Sequence, residues 1–219
     1  MIYKWEFERV NGEVRLELAS LTGSTSARLI TAISQNIVKY RKEYDSLLEH
    51  HVNPSPLIVT LAMDQVSAEI FNSLRKAHFP PHRNFIAAHI TLFHSLPGDE
   101  IDRISDDLAA AASGQRPFDV STAGVQFLGN GVAIRLDAPI LSSLHADLAR
   151  HWHDWLTPQD RQPFRPHVTV QNKVAPETAR RLAAQLEVLP RIAIQAEGLE
   201  LWTYRGGPWD FVKKVDFAV

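Results

Sequence analysis

The sequence predicts an α+β protein of two facing lobes around a central cleft, each lobe a β-α-β-α-β unit. Two observations predict it. From Pro56 onward one order of elements runs twice, and both runs carry the pattern His-apolar-Thr-apolar at the same place, as His89-Ile90-Thr91-Leu92 and His167-Val168-Thr169-Val170. The repeat is one of element order and not of residue identity.

In the first run, the strand-like Leu57-Ile58-Val59-Thr60-Leu61 leads to a helical stretch from Val66 to His78. Next come Ala88 to Leu92, a helical stretch from Glu100 to Ala112, and the strand-like Phe118 to Phe127. Gly129-Asn130-Gly131 marks a turn into the second run. There Val132 to Leu136 precedes a helix expected from Ile140 to Leu156, then the motif at His167, a helix from Glu177 to Leu186, and strands near Ile192 to Leu201 and Val212 to Phe217.

Residues 1–54 read as an N-terminal hairpin-helix extension to the main domain, 55–219, whose lobes are expected over 55–128 and 129–219. Trp5, Phe7 and Val10, then Val14, Leu16 and Leu18, flank Asn11-Gly12, a strong two-residue hairpin signal. Beyond a cap at Gly23-Ser24-Thr25, the residues Ile30, Ile33, Ile37, Tyr40, Tyr44 and Leu47 step by three and four, predicting a helix with one apolar stripe. That stripe needs a partner, either the main domain or its own copy in a homodimer. Pro54 and Pro56 close the segment, because proline cannot continue a helix.

Composition narrows the function. With 23 Lys+Arg against 25 Asp+Glu and a net charge of -2, the chain lacks the basic excess that drives non-specific nucleic-acid binding, so any such contact is local. The absence of cysteine excludes disulfides and thiolate metal sites and fits a reducing compartment. The start offers no signal-peptide-like apolar run, and nowhere do about 18 apolar residues occur together. A cytoplasmic protein with no membrane partner is the expectation.

On a strand, residues i and i+2 share a face, so each motif directs His and Thr one way while Ile90 and Val168 turn to a core. An imidazole titrates near working pH, and a hydroxyl is a small donor for a phosphate oxygen. One pair is a half-site; two supply a base for the attacking hydroxyl or water and an acid for the leaving oxygen of a phosphodiester, with no metal or other cofactor. From this composition roughly 0.2 such motifs per chain are expected by chance, and two in about 2% of chains.

The stretches HITLFHSLPG and RPFRPHVTVQNK resemble the paired motifs of the two-histidine (2H) phosphoesterase superfamily, and in particular bacterial 2′-5′ RNA ligase-like proteins, over residues 56–219. The resemblance implies a bilobal α+β fold with a central cleft, metal-independent cleavage of 2′,3′-cyclic or related phosphodiesters and, in some members, reversible 2′-5′ joining of RNA ends. It implies His89 and His167 as the catalytic pair, Thr91 and Thr169 as phosphate-holding hydroxyls, and a nucleotide or RNA end as the partner. Gln171-Asn172-Lys173 follows the second motif where many members place an arginine.

Arg165, Lys173, Arg135 and Arg205 lie on or beside the expected cleft strands, as substrate contacts or as ordinary surface charges. Tyr204 and Trp209 flank a Gly-Gly-Pro turn that would present them to a nucleobase, whereas Phe164 reads as core. His94 reads as facing the cleft or as merely ending its strand, the second being favoured. His145, His151 and His153 read as a solvated helix face and not as metal ligands, since no acidic cluster completes a site. No Walker-type loop or Gly-x-Ser-x-Gly elbow is present. The rival readings are a non-catalytic nucleotide- or RNA-end-binding module, told apart by turnover, and a phosphodiesterase for a non-RNA cyclic phosphate.

Overall fold

The computed structural model describes residues 6–10, 13–17, 54–188 and 191–218. The chain divides into two units, Met1–Val52 and Asn53–Val219. In the first, strands β1 (Glu6–Val10) and β2 (Glu13–Glu17) pair antiparallel with Val10 opposite Glu13, the register that a two-residue connection at Asn11-Gly12 requires. The helix expected over Ile30 to Leu47, and any pairing through it, lies outside the described residues.

The second unit is an antiparallel sheet with helices packed on it. Its strands are β3 (Leu57–Met63), β4 (Ile90–Leu96), β5 (Phe118–Phe127), β6 (Val132–Asp137), β7 (His167–Gln171), β8 (Ala193–Tyr204) and β9 (Trp209–Asp216). The helices are α1 (Gln65–His78), α2 (Ile101–Ser113), α3 (Pro139–His151) and α4 (Pro176–Leu186). Strand order is β4-β3-β8-β5-β6-β7, with β9 added to β8.

The third strand of the first sequence run, β5, pairs with β6 and β8 and not with β3 or β4. The connection from β5 to β6 is short, closed by Leu128 N donating to the Gly131 carbonyl at 2.9 Å, so this hairpin forms at low loop-closure entropy. Gly131 is required there: a Cβ would lie 2.2 Å from the Gln171 carbonyl of β7. The twelve-residue β8 joins both halves, pairing Ala193–Ala196 with β5 and the remainder with β3 on one edge and β9 on the other.

Each helix turns an apolar stripe inward. Phe71 of α1, Ile104 and Leu108 of α2, Leu141 and Leu148 of α3, and Ala179 and Leu182 of α4 are buried against Leu57, Val59, Ile90, Phe93, Val168, Val170, Leu199 and Leu201 of the strands. Asp64 caps α1 by accepting from Ser67 N at 2.9 Å, and its other oxygen accepts from Gln195 N of β8 at 2.8 Å, which fixes the start of α1 to the sheet. The helix expected to run to Leu156 instead ends at His151 and continues as a 3-10 turn, His153–Trp155. Trp152 leaves the helical conformation there to bury its ring, with its indole N–H donated to Asp107 at 2.8 Å. Among the described residues no helix is long and apolar enough to cross a membrane.

Candidate active site

β4 and β7 stand at opposite ends of the strand order, yet they contact each other, with α1 lying against β7. The sheet therefore bends until its two motif-bearing ends meet. His167 is the first residue of β7, opposite Arg135, whereas β4 begins at Ile90, one residue after His89. His89 thus precedes the ladder instead of lying within it, because the Ala88 N–H is donated to the side chain of Asn72 at 2.7 Å and not to a neighbouring strand.

Both motif strands carry the same irregularity. In β4, Thr91 faces Thr60 and Phe93 faces Val59, leaving Leu92 as an extra residue; in β7, Thr169 faces Ala133 and Gln171 faces Val132, leaving Val170 as an extra residue. A β-bulge therefore follows the threonine of each motif, and such bulges re-aim the side chains after them. In β4 the consequence is that Leu92 and Phe93 are both buried and His94 comes out on the face of Thr91.

The two imidazoles are held alike. His89 Nδ1 donates to the Ala87 carbonyl at 2.8 Å, and His167 Nδ1 donates to the Arg165 carbonyl at 2.8 Å. A carbonyl can only accept, so each neutral ring carries its proton on Nδ1 and presents Nε2 as a free base. Both rings, Thr91 and Thr169 are half-buried. Burial is the largest cause that lowers the His89 pKa from 6.5 to about 4; the Ala87 hydrogen bond opposes it, and the charges of Arg75, His167 and His94 add to it.

Arg75 of α1 is buried and reaches both sides of the site. It donates to the Thr169 carbonyl at 2.8 Å, to the Ile86 carbonyl at 3.1 Å and to Asn84 Oδ1 at 3.1 Å, with its guanidinium 4.3 Å from the Phe79 ring centroid. Sequence reading overlooked it, although Ser67, Phe71 and Arg75 are spaced as one inward-facing row and a charge in such a row is a signal.

Of the side chains expected near substrate, Trp209 lies against His89, with ring centroids 4.6 Å apart. Together with Trp202, Glu200, Asn72 and Phe85 these two rings line a cavity of about 390 Å³. Arg165 is exposed and shares a shallow second cleft with Arg135, Phe164 and Phe127. Lys173 is exposed in the turn after β7 with φ 60°, Tyr204 is exposed at the end of β8, and Arg205 is paired with Asp210 at 2.7 Å; none of these lines the cavity beside His89.

Two histidine readings are corrected. His94 does not merely end its strand: its Nδ1 lies 3.0 Å from the buried carboxylate of Asp160, which also accepts from His94 N and Ser95 N. His145 is not on a solvated face. It is buried and sandwiched between Phe93 and Phe164, because the stripe of Leu141, Leu144 and Leu148 that faces the core includes it.

A family model described as the 2′-5′ RNA ligase superfamily matches residues 63–208, which spans both motifs. Among solved structures, the chain is similar to TT0787 of Thermus thermophilus at 16% identity and TM-score 0.54, over 74% of this chain and 97% of that one. It is similar to Escherichia coli LigT in apo form at 17% identity and TM-score 0.54, over 76% and 99% of the two chains. The same LigT complexed with 3′-AMP aligns at 18% identity and TM-score 0.50, over 76% and 99%. No curated protein sequence matches the chain. These structural likenesses establish the fold. The family match, which covers the doubled motif, supports a phosphodiesterase or ligase role, and the chain belongs to the 2′-5′ RNA ligase superfamily.

Proposed function

We propose that the protein is a metal-independent phosphodiesterase that opens 2′,3′-cyclic phosphates of nucleotides or RNA ends, with His89 as general base and His167 as general acid. The observation that carries this reading is the matched tautomer of the two rings: each is pinned through Nδ1 and offers Nε2, which is the arrangement a proton acceptor and a proton donor on opposite sides of one phosphorus require. The lowered pKa of His89 supports giving it the role of base, since a ring that stays neutral down to about pH 4 is ready to accept a proton.

In the proposed reaction, His89 Nε2 removes a proton from the attacking water as its oxygen bonds to phosphorus. The bond from phosphorus to one ribose oxygen breaks, and protonated His167 gives its Nε2 proton to that oxygen. Replacing water by the 5′-hydroxyl of a second RNA end, with departure of the 3′-oxygen, forms a 2′-5′ linkage by the same two transfers. The hydroxyls of Thr91 and Thr169 hold the non-bridging oxygens, and the buried Arg75 contributes positive potential near the phosphate without itself reaching solvent.

The test is product release from the four 2′,3′-cyclic nucleoside monophosphates and a cyclic-phosphate-ended RNA in EDTA, for the wild type, His89→Ala and His167→Ala. Turnover in the wild type that falls by at least about a hundredfold in both variants is the expected result. Activity abolished by EDTA and restored by a divalent metal overturns the mechanism. Binding of a cyclic nucleotide with no product over many hours favours a non-catalytic binding module.

A further inference from the structure

The cavity beside His89 contains a carboxylate that the reaction above does not use. Glu200 of β8 accepts from the Thr60 hydroxyl at 3.0 Å, and that hydroxyl accepts in turn from Trp202 Nε1 at 2.9 Å. An indole nitrogen only donates, so the Thr60 proton is directed at Glu200 Oε2 and the acid side chain is held as an acceptor. Among the described residues Glu200 Oε1 has no hydrogen-bond partner. Lys214, opposite Glu200 in the β8-β9 ladder, is engaged with Glu197 at 3.3 Å and Asp216 at 2.9 Å. Burial raises the Glu200 pKa, against the opposing effects of the Thr60 hydrogen bond and the Lys214 charge, as expected of a carboxylate in a partly enclosed site.

The walls around it are aromatic. Trp209 and Trp202 stand with ring centroids 6.2 Å apart, and the exposed ring of Phe85 sits on the lining. Flat aromatic walls favour a flat aromatic ligand, and an acceptor-only group favours donors on its edge. Guanine alone among the four RNA bases presents two adjacent parallel donors, N1–H and the N2 amino group. Adenine and cytosine set a ring-nitrogen acceptor beside their amino group, and uracil sets carbonyls on both sides of its N–H.

We propose that this cavity is the base subsite of the phosphodiester site and that Glu200 makes it selective for guanine. The inference rests on the function proposed above for the location of the phosphate beside His89.

The experiment compares kcat/KM for the 2′,3′-cyclic phosphates of guanosine, inosine, adenosine, cytidine and uridine in the wild type and in Glu200→Gln. Calorimetric binding of 3′-GMP, 3′-IMP and 3′-AMP is measured alongside. Inosine differs from guanosine only in lacking the N2 amino group, so the wild type should favour guanosine over inosine by about tenfold or more in both measurements. That ratio should fall towards one in Glu200→Gln, whose amide sets one acceptor oxygen and one NH2 donor where the carboxylate has two acceptor oxygens. If the variant fails to fold, the guanosine-to-inosine ratio of the wild type decides alone. Turnover of all five substrates at equal efficiency overturns the base assignment and leaves the reaction standing. Selective binding of 3′-GMP without turnover of any substrate overturns the reaction and leaves the subsite standing. Absence of both binding and turnover overturns both.

Discussion

The guanidinium of Arg75 donates from Nη1 to the backbone carbonyl of Thr169 at 2.8 Å, so a helix of the first sequence run holds the motif strand of the second. β7 is an end strand of the sheet, and its outer carbonyls have no neighbouring strand to accept from. Arg75 meets one of them, and through Ile86 and Asn84 it also fixes the approach to His89. One buried cation thereby sets the spacing of the two motifs.

Arg75→Met should accordingly weaken both the fold and the reaction. It leaves three acceptors without their donor, a loss of about 3 kcal/mol or more, which for a chain of this size lowers Tm by roughly 6–12 °C. Cleavage of a cyclic phosphate should fall by more than about tenfold even at temperatures where the variant remains folded, since a misplacement on the order of 1 Å has that effect. Because the Arg75 charge helps to depress the His89 pKa, the acid limb of the rate profile should also move to higher pH. A variant that merely melts earlier, with an unmoved profile, would remove Arg75 from the site.

His89 makes the pH dependence itself a prediction. Its pKa is about 4 in the folded protein against 6.5 for an ordinary histidine, with burial as the first cause. For a base that must be neutral in the free enzyme, kcat/KM should stay level down to about pH 5 and decline with a midpoint near 4. Stability should respond in the opposite sense to what a paired histidine gives. Between pH 6.5 and 4 the unfolded chain binds a proton that the folded one refuses, so this residue lowers stability progressively as pH falls through that window. Rate profiles and urea midpoints across about pH 4 to 8 measure the two effects, and an acid limb near 6.5 would count against His89 as the base.

The strands and helices of the second unit were legible because their apolar periods are clean, and the paired motifs were legible because they recur at one place in the element order. What the sequence withheld was mostly tertiary. Alternation identifies Phe118–Phe127 as a strand but not its partners, so the pairing of β5 with β6 and β8 came only from the structure. Alternation in Leu199-Glu200-Leu201 sets the acid on the face opposite the two leucines without telling what covers that face; α1 and the segment from Phe85 to Ala88 enclose Glu200 in a cavity. The bulges left a trace, since Leu92 and Phe93 are consecutive apolar residues in a strand that should alternate, as are Val170 and Gln171 in burial if not in polarity. His145 was misread because histidine was weighed as a polar residue, while its spacing from Leu141 and Leu148 was that of the core stripe.

Asp160 illustrates a residue whose contribution is entirely local satisfaction. Its carboxylate accepts from His94 N at 2.8 Å, Ser95 N at 3.2 Å and the Thr157 hydroxyl at 2.9 Å, and thereby finishes the edge of β4 just beyond the bulge. Burial would raise its pKa, but these hydrogen bonds and the neighbouring His94 hold it below 3.8. A depressed carboxylate stabilises the fold above the unfolded value and loses that contribution as pH falls through the folded one. Asp160→Ala should therefore cost about 2–4 kcal/mol at neutral pH, and the gap from wild type should narrow in strong acid. Asp160→Asn, which keeps one acceptor oxygen, should lose less. Denaturant midpoints at about pH 7 and pH 3 decide it, and equal stability of wild type and Asp160→Ala at neutral pH would contradict the argument.

His145 is stacked between Phe93, at 4.6 Å between centroids and 11° between planes, and Phe164, at 4.1 Å and 6°. A protonated ring there would have to give up its hydration inside an aromatic sandwich, and burial, more than the opposing pull of Asp160, lowers its pKa from 6.5. The folded state consequently prefers neutral His145, the unfolded state takes up the proton first, and stability declines as pH drops below 6.5. His145→Phe keeps a flat ring of similar size and removes the titration. It should leave Tm at about pH 7.5 within a few degrees of wild type and reduce the fall in Tm between about pH 7.5 and pH 5, without abolishing it, because His89 contributes to the same window. Thermal melts of both proteins at the two pH values measure this, and an undiminished fall in the variant would show that His145 is not a source of the acid sensitivity.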